Sequence, residues 1–506
     1  MYGIIELSRN NQYQTSAKEL YTMITRKQLS LQDIYEDCKE QFKNDKHKFL
    51  TILEENIDLA KIIPRTFSYN FYKTRGRPRK HQLHSFIKAL LLQRIFGIDE
   101  DSLLIIFLLY SAELREFCGF DTIPDASKFT RFKQDFLPDL QLMFDNLVDL
   151  TETICRKIDL KLASMTIFDT SGIEAWVTEN NPKYLDRIVK QLKVFKQFQG
   201  LDDSYDPHKA AYTKLPTSAV ANPAIKQMYI NGHFCYAYKF GIITNGLGII
   251  RDITFYNQAF LEAHPDIVIE KKERSPDEDK TLADSKALIP VLTDFFKKHP
   301  VINPKYFLGD AAFDTIDIYD KLFNDIGFEK AFIPLNGPLT SGADCPINDD
   351  GIPCCPNDKV TPMKREGSKS HLVSGLPTMK FVCPKMKWHY DKSTRGTTRV
   401  TMCDDPCTDS RCGRMTYIYP QKNLRAYPGV LRDSDEFKDT YKIRTKAERT
   451  ISHFKDSFGL ANRKSRDERT LHADLLLAGI TQLITVVVAD SIHQPKLIRS
   501  LKPLVA

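Results

Sequence analysis

The segment Thr440–Phe458, T-Y-K-I-R-T-K-A-E-R-T-I-S-H-F-K-D-S-F, has no Pro or Gly and reads as a single helix. At about 3.6 residues per turn, Tyr441, Glu448 and Lys455 share one face, and Arg444 lies one turn before Glu448 on the same side. Ile443, Ala447, Ile451, Phe454 and Phe458 form a separate apolar stripe, roughly a quarter-turn round. One side can pack into a core while the other presents a carboxylate ringed by basic groups. Taken alone, the charged side is read most simply as a solvated face with i,i+4 ion pairs. Residues upstream have to decide.

Two acids supply that context. Leu162–Phe168 is a short apolar run ending at Asp169-Thr170-Ser171-Gly172, the pattern of a buried strand. Tyr306-Phe307-Leu308-Gly309-Asp310 reads as another strand that ends on an acid, followed by a helix capped near Asp314. Between them, a Lys-rich helical stretch runs from about Asn180 to Lys226. Phe234, Tyr236, Tyr238, Phe240 and Ile242 then alternate with other residues. Asn245-Gly246 separates them from Leu247, Ile249, Ile253 and Phe255, a hairpin signature. Leu282–Lys298 follows as a helix, and Ala331–Ile333 is a last short strand. The order strand, hairpin, helix, strand, helix, strand predicts an α/β fold with a mixed sheet. Asp169 and Asp310 would meet at one sheet edge, with Glu448 on a helix packed there. Singly, each aspartate also suits a turn or a strand-end cap. Together, three carboxylates with no softer ligand nearby suit Mg2+ or Mn2+. Two such ions about 4 Å apart support phosphodiester chemistry.

The first third is helical. Arg75-Gly76-Arg77-Pro78-Arg79-Lys80 is a basic punctuation mark, after which helices are expected over His84–Phe96, Asp101–Phe117, Ser127–Phe136 and Leu140–Leu160. Leu103, Ile106, Phe107 and Tyr110 form an apolar side. Ile123-Pro124-Asp125 is a stop followed by a cap, and Phe129, Phe132 and Phe136 at helical spacing read as core. From Gly337 to about Gly429 periodicity disappears over a stretch too long for a loop, which marks an inserted subdomain.

A chain of 506 residues allows two to four domains. Its 42% hydrophobic and 27% charged content is that of a soluble globular protein. A net charge of +7 is compatible with a polyanionic partner without requiring one. Leu475–Ala489 is about one turn short of a membrane span and contains Thr481, Gln482 and Thr485, so it reads as a buried helix. No signal-peptide pattern opens the chain, and a cytoplasmic location is expected. Of eleven cysteines, seven fall between Cys345 and Cys412. The odd total and the clustering argue against a disulfide scaffold.

Three blocks carry a family resemblance. Ile167-Phe168-Asp169-Thr170-Ser171-Gly172, Leu308-Gly309-Asp310-Ala311-Ala312-Phe313-Asp314 and the Y-x2-R-x3-E-x6-K series resemble bacterial insertion-sequence transposases of the DDE class, whose catalytic domain is RNase H-like. The similarity spans about residues 70 to 490, since Leu114-Arg115-Glu116-Phe117 and Ser127–Phe132 resemble the family's N-terminal part. It implies an RNase H-like mixed sheet preceded by an all-helical N-terminal region and interrupted by a Cys-rich insertion. The expected divisions are a helical extension (1–70), a helical DNA-binding region (71–160), the first part of the core (161–336), the insertion (337–430) and the C-terminal helices of the core (431–506). The resemblance further implies that Asp169, Asp310 and Glu448 hold Mg2+ or Mn2+. Arg444 and Lys455 would contact phosphates, and Tyr441 would touch distorted DNA near the cut. Its expected partners are double-stranded DNA with terminal inverted repeats and a target DNA, bound by a homodimer in the bacterial nucleoid. No membrane and no further cofactor are implied. Competing expectations are an RNase H-like nuclease that cuts without joining and a transposase-derived DNA-binding protein.

The 138 positions between Asp310 and Glu448 are mostly insertion, a place where such transposases carry DNA-contacting inserts. Here Cys403-x3-Cys407-x4-Cys412, with Cys383 upstream, offers a four-thiolate zinc set. Cys345, Cys354 and Cys355 are alternative ligands, as are His371 and His389, and reduced structural thiols are the other reading. Arg75, Arg77 and Arg79 suit an A·T-rich minor groove or an exposed linker. Lys183–Lys196 reads as a solvated helix face. Arg463, Lys464, Arg466 and Arg469 are expected to extend a DNA-facing surface.

Overall fold

The computed structural model describes residues 49–72, 78–230, 233–267, 282–337, 339–340, 345–370, 377–410, 413–421 and 423–505. Two compact units are distinguished, Met1–Ile57 with Lys502–Ala506, and Asp58–Leu501. The second carries everything that follows.

It opens with helices α1 (Leu83–Ile95), α2 (Asp101–Tyr110), α3 (Ala112–Cys118), α4 (Ala126–Asp135) and α5 (Leu137–Ile158). The single helix expected over Asp101–Phe117 is broken at Ser111, whose hydroxyl caps α3 by accepting the Leu114 N–H. Asp125 caps α4 as its position suggested. Phe129, Phe132 and Phe136 are buried with Phe67, Phe71 and Phe86, and the Phe86 and Phe132 rings stack at 4.9 Å. The apolar side expected of α2 is the reverse of the one buried: Leu104 and Leu108 go inward, while Leu103, Ile106, Phe107 and Tyr110 stay exposed.

Strand β1 (Met165–Glu174) follows, then α6 (Pro182–Gln199), α7 (Pro207–Lys214), β2 (Ser218–Ala219), β3 (Asn222–Ile230), β4 (His233–Thr244) and β5 (Ile250–Phe255). The helical stretch expected up to Lys226 therefore stops early, because β3 pairs with β4 from Lys226 onward. β3 and β5 share one edge of β4 end to end, and β1 lies along the other. The Asn-Gly signal does mark a hairpin, but a wider one than two residues: the Asn245 side chain accepts the N–H groups of Leu247 and Ile249, and Gly248 takes a positive φ of 77°. After α8 (Asp284–Lys298) come β6 (Tyr306–Leu308), α9 (Ile316–Asp320) and β7 (Lys330–Phe332). The sheet has seven strands in the order β2-β3-β4-β1-β6-β7, with β5 on β4. β1, β6 and β7 are parallel and the rest antiparallel, the mixed sheet expected.

The insertion holds β8 (Lys364–Ser370), β9 (Pro377–Val382) and β12 (Met415–Ile418) in a three-stranded sheet, and β10 (Met386–Asp391) with β11 (Gly396–Thr401) in a separate hairpin. The chain returns to the core through Arg425 and Arg432, which converge on the buried Asp314. Arg425 donates to Asp314 at 3.1 and 2.5 Å, Tyr319 donates at 3.0 Å, and Arg432 reaches Tyr319 and the Ile333 carbonyl. Asp314 is thus a clamp for the insertion, and Thr315 is the residue that caps α9.

The C-terminal part comprises α10 (Asp435–Tyr441), α11 (Thr445–Ser452) and α12 (Glu468–Ser491). Between α10 and α11 the winding tightens to a 3-10 turn over Lys442–Arg444, and past α11 it widens to a π turn over His453–Ser457. Expected as one uniform helix, this stretch is continuous but unevenly wound. At 24 residues, α12 is longer than the run expected from sequence, and by length and composition it is capable of crossing a membrane. Its most apolar window is 89% buried inside the protein, where it packs on α5, α1 and α4.

A buried charge cluster joins α12 to the N-terminal helices. Asp474 of α12 meets Arg94 of α1 at 2.7 Å, Lys133 of α4 at 2.9 Å and Arg463 at 2.7 Å. Lys133 and Arg463 also hold Asp101, at 2.8 and 3.2 Å. Removing one partner of such a cluster leaves uncompensated charge in the interior. Asp474→Ala is expected to lower stability by about 3–5 kcal/mol, whereas Lys321→Ala, in an exposed pair with Asp317, should cost less than about 1 kcal/mol. Urea denaturation followed by circular dichroism measures both, and similar midpoints for the two variants would refute the assignment.

Candidate active site

β1 and β6 pair in parallel only as far as Ile167 and Leu308. Asp169 and Asp310 each lie two residues beyond that last pair, near enough for the Asp310 charge to act on Asp169. Asp310 follows the end of β6, as expected. Asp169 does not end its strand: β1 continues to Glu174 along β4, and it is the neighbour β6 that turns away. Each carboxylate accepts one nearby backbone N–H, from Thr170 to Asp169 and from Ala312 to Asp310, both at 2.9 Å.

Helix α11 packs over β1 and β4. Thr450 of α11 donates to the Gly248 carbonyl at 3.0 Å, and Lys455, in the π turn that follows, donates to Ser171 at 3.0 Å. Ser171 is two residues past Asp169 and therefore on the same face of β1. Glu448 is 48% exposed and accepts the Arg444 guanidinium at 2.5 Å. Tyr441 stacks on Phe437 at 6.2 Å with Arg444 over its ring at 5.9 Å. Burial lowers the pKa of the Lys455 ammonium.

Electrostatics ties the acids into one site. Burial pushes the Asp169 carboxyl up to about 6; the Thr170 N–H and Arg444 oppose this, and the charges of Glu448 and Asp310 add to it. Burial also raises Asp310, with Asp284 adding to the effect. Among the described residues, no three His, Cys, Asp or Glu side chains stand close enough to share a metal ion. The acids face one another without closing on a point, and Glu448 is held by Arg444. The donor set fits a divalent cation nonetheless: all its ligands are hard oxygens, and one is a half-buried carboxylate acted on by two like charges.

The structure adds Asp284 and Lys239, to which the sequence reading assigned no role. Lys239 meets Asp284 at 2.5 Å and the Leu282 carbonyl at 2.6 Å, tying the start of α8 to β4 beside the acids. In the sequence Asp284 is indistinguishable from any acid favoured by a helix N-terminus. Other predicted residues fall elsewhere. Arg463 is buried in the Asp474 cluster and so does not extend a DNA-facing surface in the way expected, whereas Arg469 is exposed, with its guanidinium donating to the Gln134 carbonyl. Lys464 pairs with Glu100 at the surface. Arg79 donates to the Phe71 carbonyl and lies over the Phe71 and Phe136 rings. Arg75, Arg77, His371 and Cys412 lie outside the described residues.

Two family models match the chain. A model described as a transposase DDE domain matches residues 278–484, and one described as a transposase domain (DUF772) matches residues 37–135. Together they cover more than half of the chain, with Asp310 and Glu448 inside the first and Asp169 between the two. The second begins at residue 37, inside the segment expected to lie outside the resemblance. No curated protein matches the chain.

The raised Asp169 carboxyl has a stability consequence. The folded chain holds that proton more tightly than the unfolded one, so it loses stability as pH rises from the ordinary carboxylate range through about 6. At neutral pH without divalent ions, Asp169→Asn is expected to melt higher than the wild type. Mg2+ should raise the wild-type melting temperature and leave the variant's unchanged. Thermal melts with and without Mg2+ check this; identical melting of both proteins would count against a strained acid cluster.

Proposed function

We propose that this chain, which belongs to the DDE transposases, cuts DNA at the ends of an insertion sequence and joins the freed 3' ends to a target. Asp169, Asp310 and Glu448 would hold Mg2+ or Mn2+. The observation that carries this reading is the half-buried Asp169 carboxyl, with the charges of Glu448 and Asp310 acting on it and Arg444 alongside. Divalent ions bound there would activate the attacking oxygen and stabilise the leaving one.

The chain's own side chains divide the remaining tasks. Arg444 neutralises Glu448 until a cation replaces it, and its planar guanidinium is then free for a phosphate oxygen. Lys455, anchored on Ser171, presents a charge on the same face of β1 as Asp169 and serves as a second phosphate contact. Tyr441, backed by Phe437, offers an aromatic face to a distorted base or sugar. Lys239 holds Asp284 and so fixes the start of α8 beside Asp310.

Double-stranded DNA with terminal inverted repeats is the specific ligand in this reading, and a second protomer holds the other end. The exposed Leu103, Ile106, Phe107 and Tyr110 of α2 form an apolar face of the kind that contact with another copy covers. The protein would act in the bacterial cytoplasm, on the nucleoid.

Asp310→Ala should reduce Mg2+-dependent nicking of an end-containing duplex by about 10³-fold or more while leaving end binding in a gel-shift assay largely intact. Nicking equal to wild type would reject the site. Pre-cleaved ends supplied with target plasmid distinguish joining from cutting alone, since a nuclease yields no joined product. Lys455→Ala should weaken DNA binding uniformly across sequences and reduce the slope of log K against log salt by about 1. An unchanged slope would remove Lys455 from the phosphate contacts.

A further inference from the structure

We infer that Cys355, Cys383, Cys403 and Cys407 form a four-thiolate zinc site that staples the inserted subdomain. The four come from separate turns. Cys383 follows β9, Cys403 follows β11, Cys407 lies in the loop leading to β12, and Cys355 comes from the segment before β8. All four line one small cavity with Pro384, Lys385 and Arg414 among its walls. Cys407 and Cys355 are in hydrogen-bonding contact, and Cys383 lies within electrostatic range of Cys407.

The insertion's cysteines thus divide into two kinds. Cys345 is wholly buried in an apolar cluster with Ile347, Met363, Met379, Phe381 and Ile418, where it packs as a small hydrophobe. Cys355, Cys383, Cys403 and Cys407 are only partly buried and line the same cavity, though like the acids they do not close on one point, and the Cys403 thiol donates to the Asp405 carbonyl at 3.2 Å, a bond that zinc would replace. Packing explains the first kind and not the second.

A staple also answers a structural need. The apolar cluster is small for an insertion of this length, and domains with small cores commonly rely on disulfides or metals. The β10–β11 hairpin pairs only with itself, a marginal arrangement in water, and Trp388 and Tyr390 on it are 65% and 56% exposed. Its base is the Cys383–Cys403 crossing, where Met402 donates to the Lys385 carbonyl and Met386 to that of Cys383. Asn357 donates to Asp405, joining the Cys355 loop to the Cys403–Cys407 loop. Four soft ligands with no open position suit structural zinc. Each thiol loses its proton to solvent as its Zn–S bond forms. This set takes Cys355 in place of the Cys412 expected from spacing.

Metal analysis of the full chain, purified without chelator, should find about one zinc per chain. Cys355→Ser and Cys403→Ser should each fall below half of that, while Cys345→Ser keeps its zinc. Full zinc in Cys355→Ser, or its loss in Cys412→Ser alone, would overturn the assignment. Should the variants fold poorly, Co2+ added to metal-stripped wild type gives a second reading: intense thiolate-to-metal absorption supports the site and its absence rejects it. A zinc-selective chelator should also speed tryptic cleavage at Arg395 in the hairpin tip, and an unchanged rate would rule out a stapling role.

Discussion

Asp474 is the pivot of the structure. It is wholly buried with three cations around it, and no single element could keep it there. Arg94 and Lys133 come from the N-terminal helices, Arg463 from the loop before α12. Burying these charges is unfavourable unless every partner is in place, so α1, α4 and α12 can assemble in essentially one arrangement. The consequence reaches the acids. Arg94 also donates to the Phe458 carbonyl at 3.0 Å, at the end of the stretch that carries Glu448 and Lys455. Gln482 of α12 accepts the Ile250 N–H at 2.8 Å and donates to the Gly248 carbonyl. Two helices joined through Asp474 thus hold the site's frame, α12 the sheet's central hairpin and α1 the end of the segment laid across it.

The site itself is a balance of unfavourable terms. Asp169 is partly buried, beside a strand that has turned away, with Asp310 in register and Glu448 overhead. Nothing in hydrophobic packing favours that arrangement, which is why it reads as functional. Arg444 is the chain's own partial remedy. Its bond to Glu448 is an ordinary i,i+4 pair in sequence, yet its guanidinium also lowers the cost of charging Asp169. The π turn after α11 belongs to the same design. It re-aims the helix where Lys455 meets Ser171, and such turns occur often at functional sites.

Much of this was legible in the residues, for definite reasons. Strands flanked by turn signals, the caps at Asp125 and Asp310 and the phenylalanine spacing of α4 are local features, and local chemistry sets them. Some misreadings are local, such as the helix break at Ser111, whose hydroxyl caps α3; the larger ones involve long-range partners. Arg463 belongs to a basic run in sequence, but its partners lie some 360 positions upstream or on the next helix. Leu103, Ile106, Phe107 and Tyr110 satisfy an amphipathic pattern, but α2 is apolar nearly all round, and periodicity cannot say which side faces inward. Lys226 looked helical by composition until β4 supplied a pairing edge. Asp284 could not be told from a helix-terminal acid without knowing that β6 ends beside it.

Asp314 shows how the insertion is tolerated. An excursion between two of the clustered acids threatens their registry, because any strain in it can pull on the loop after Asp310. The chain instead ends its detour on that very loop. Arg425 and Arg432 fasten the returning segment to Asp314, four residues past Asp310, and the Pro428 carbonyl accepts the N–H of Ala331 in β7. Gly429 permits the approach, since a Cβ there would stand 2.4 Å from the Glu329 carbonyl oxygen. The insertion leaves and re-enters the core at one anchored point, where Asn336 and Arg425 both bond to Asp314. A detour fastened to the core in this way can acquire a separate ligand without pulling on the acids.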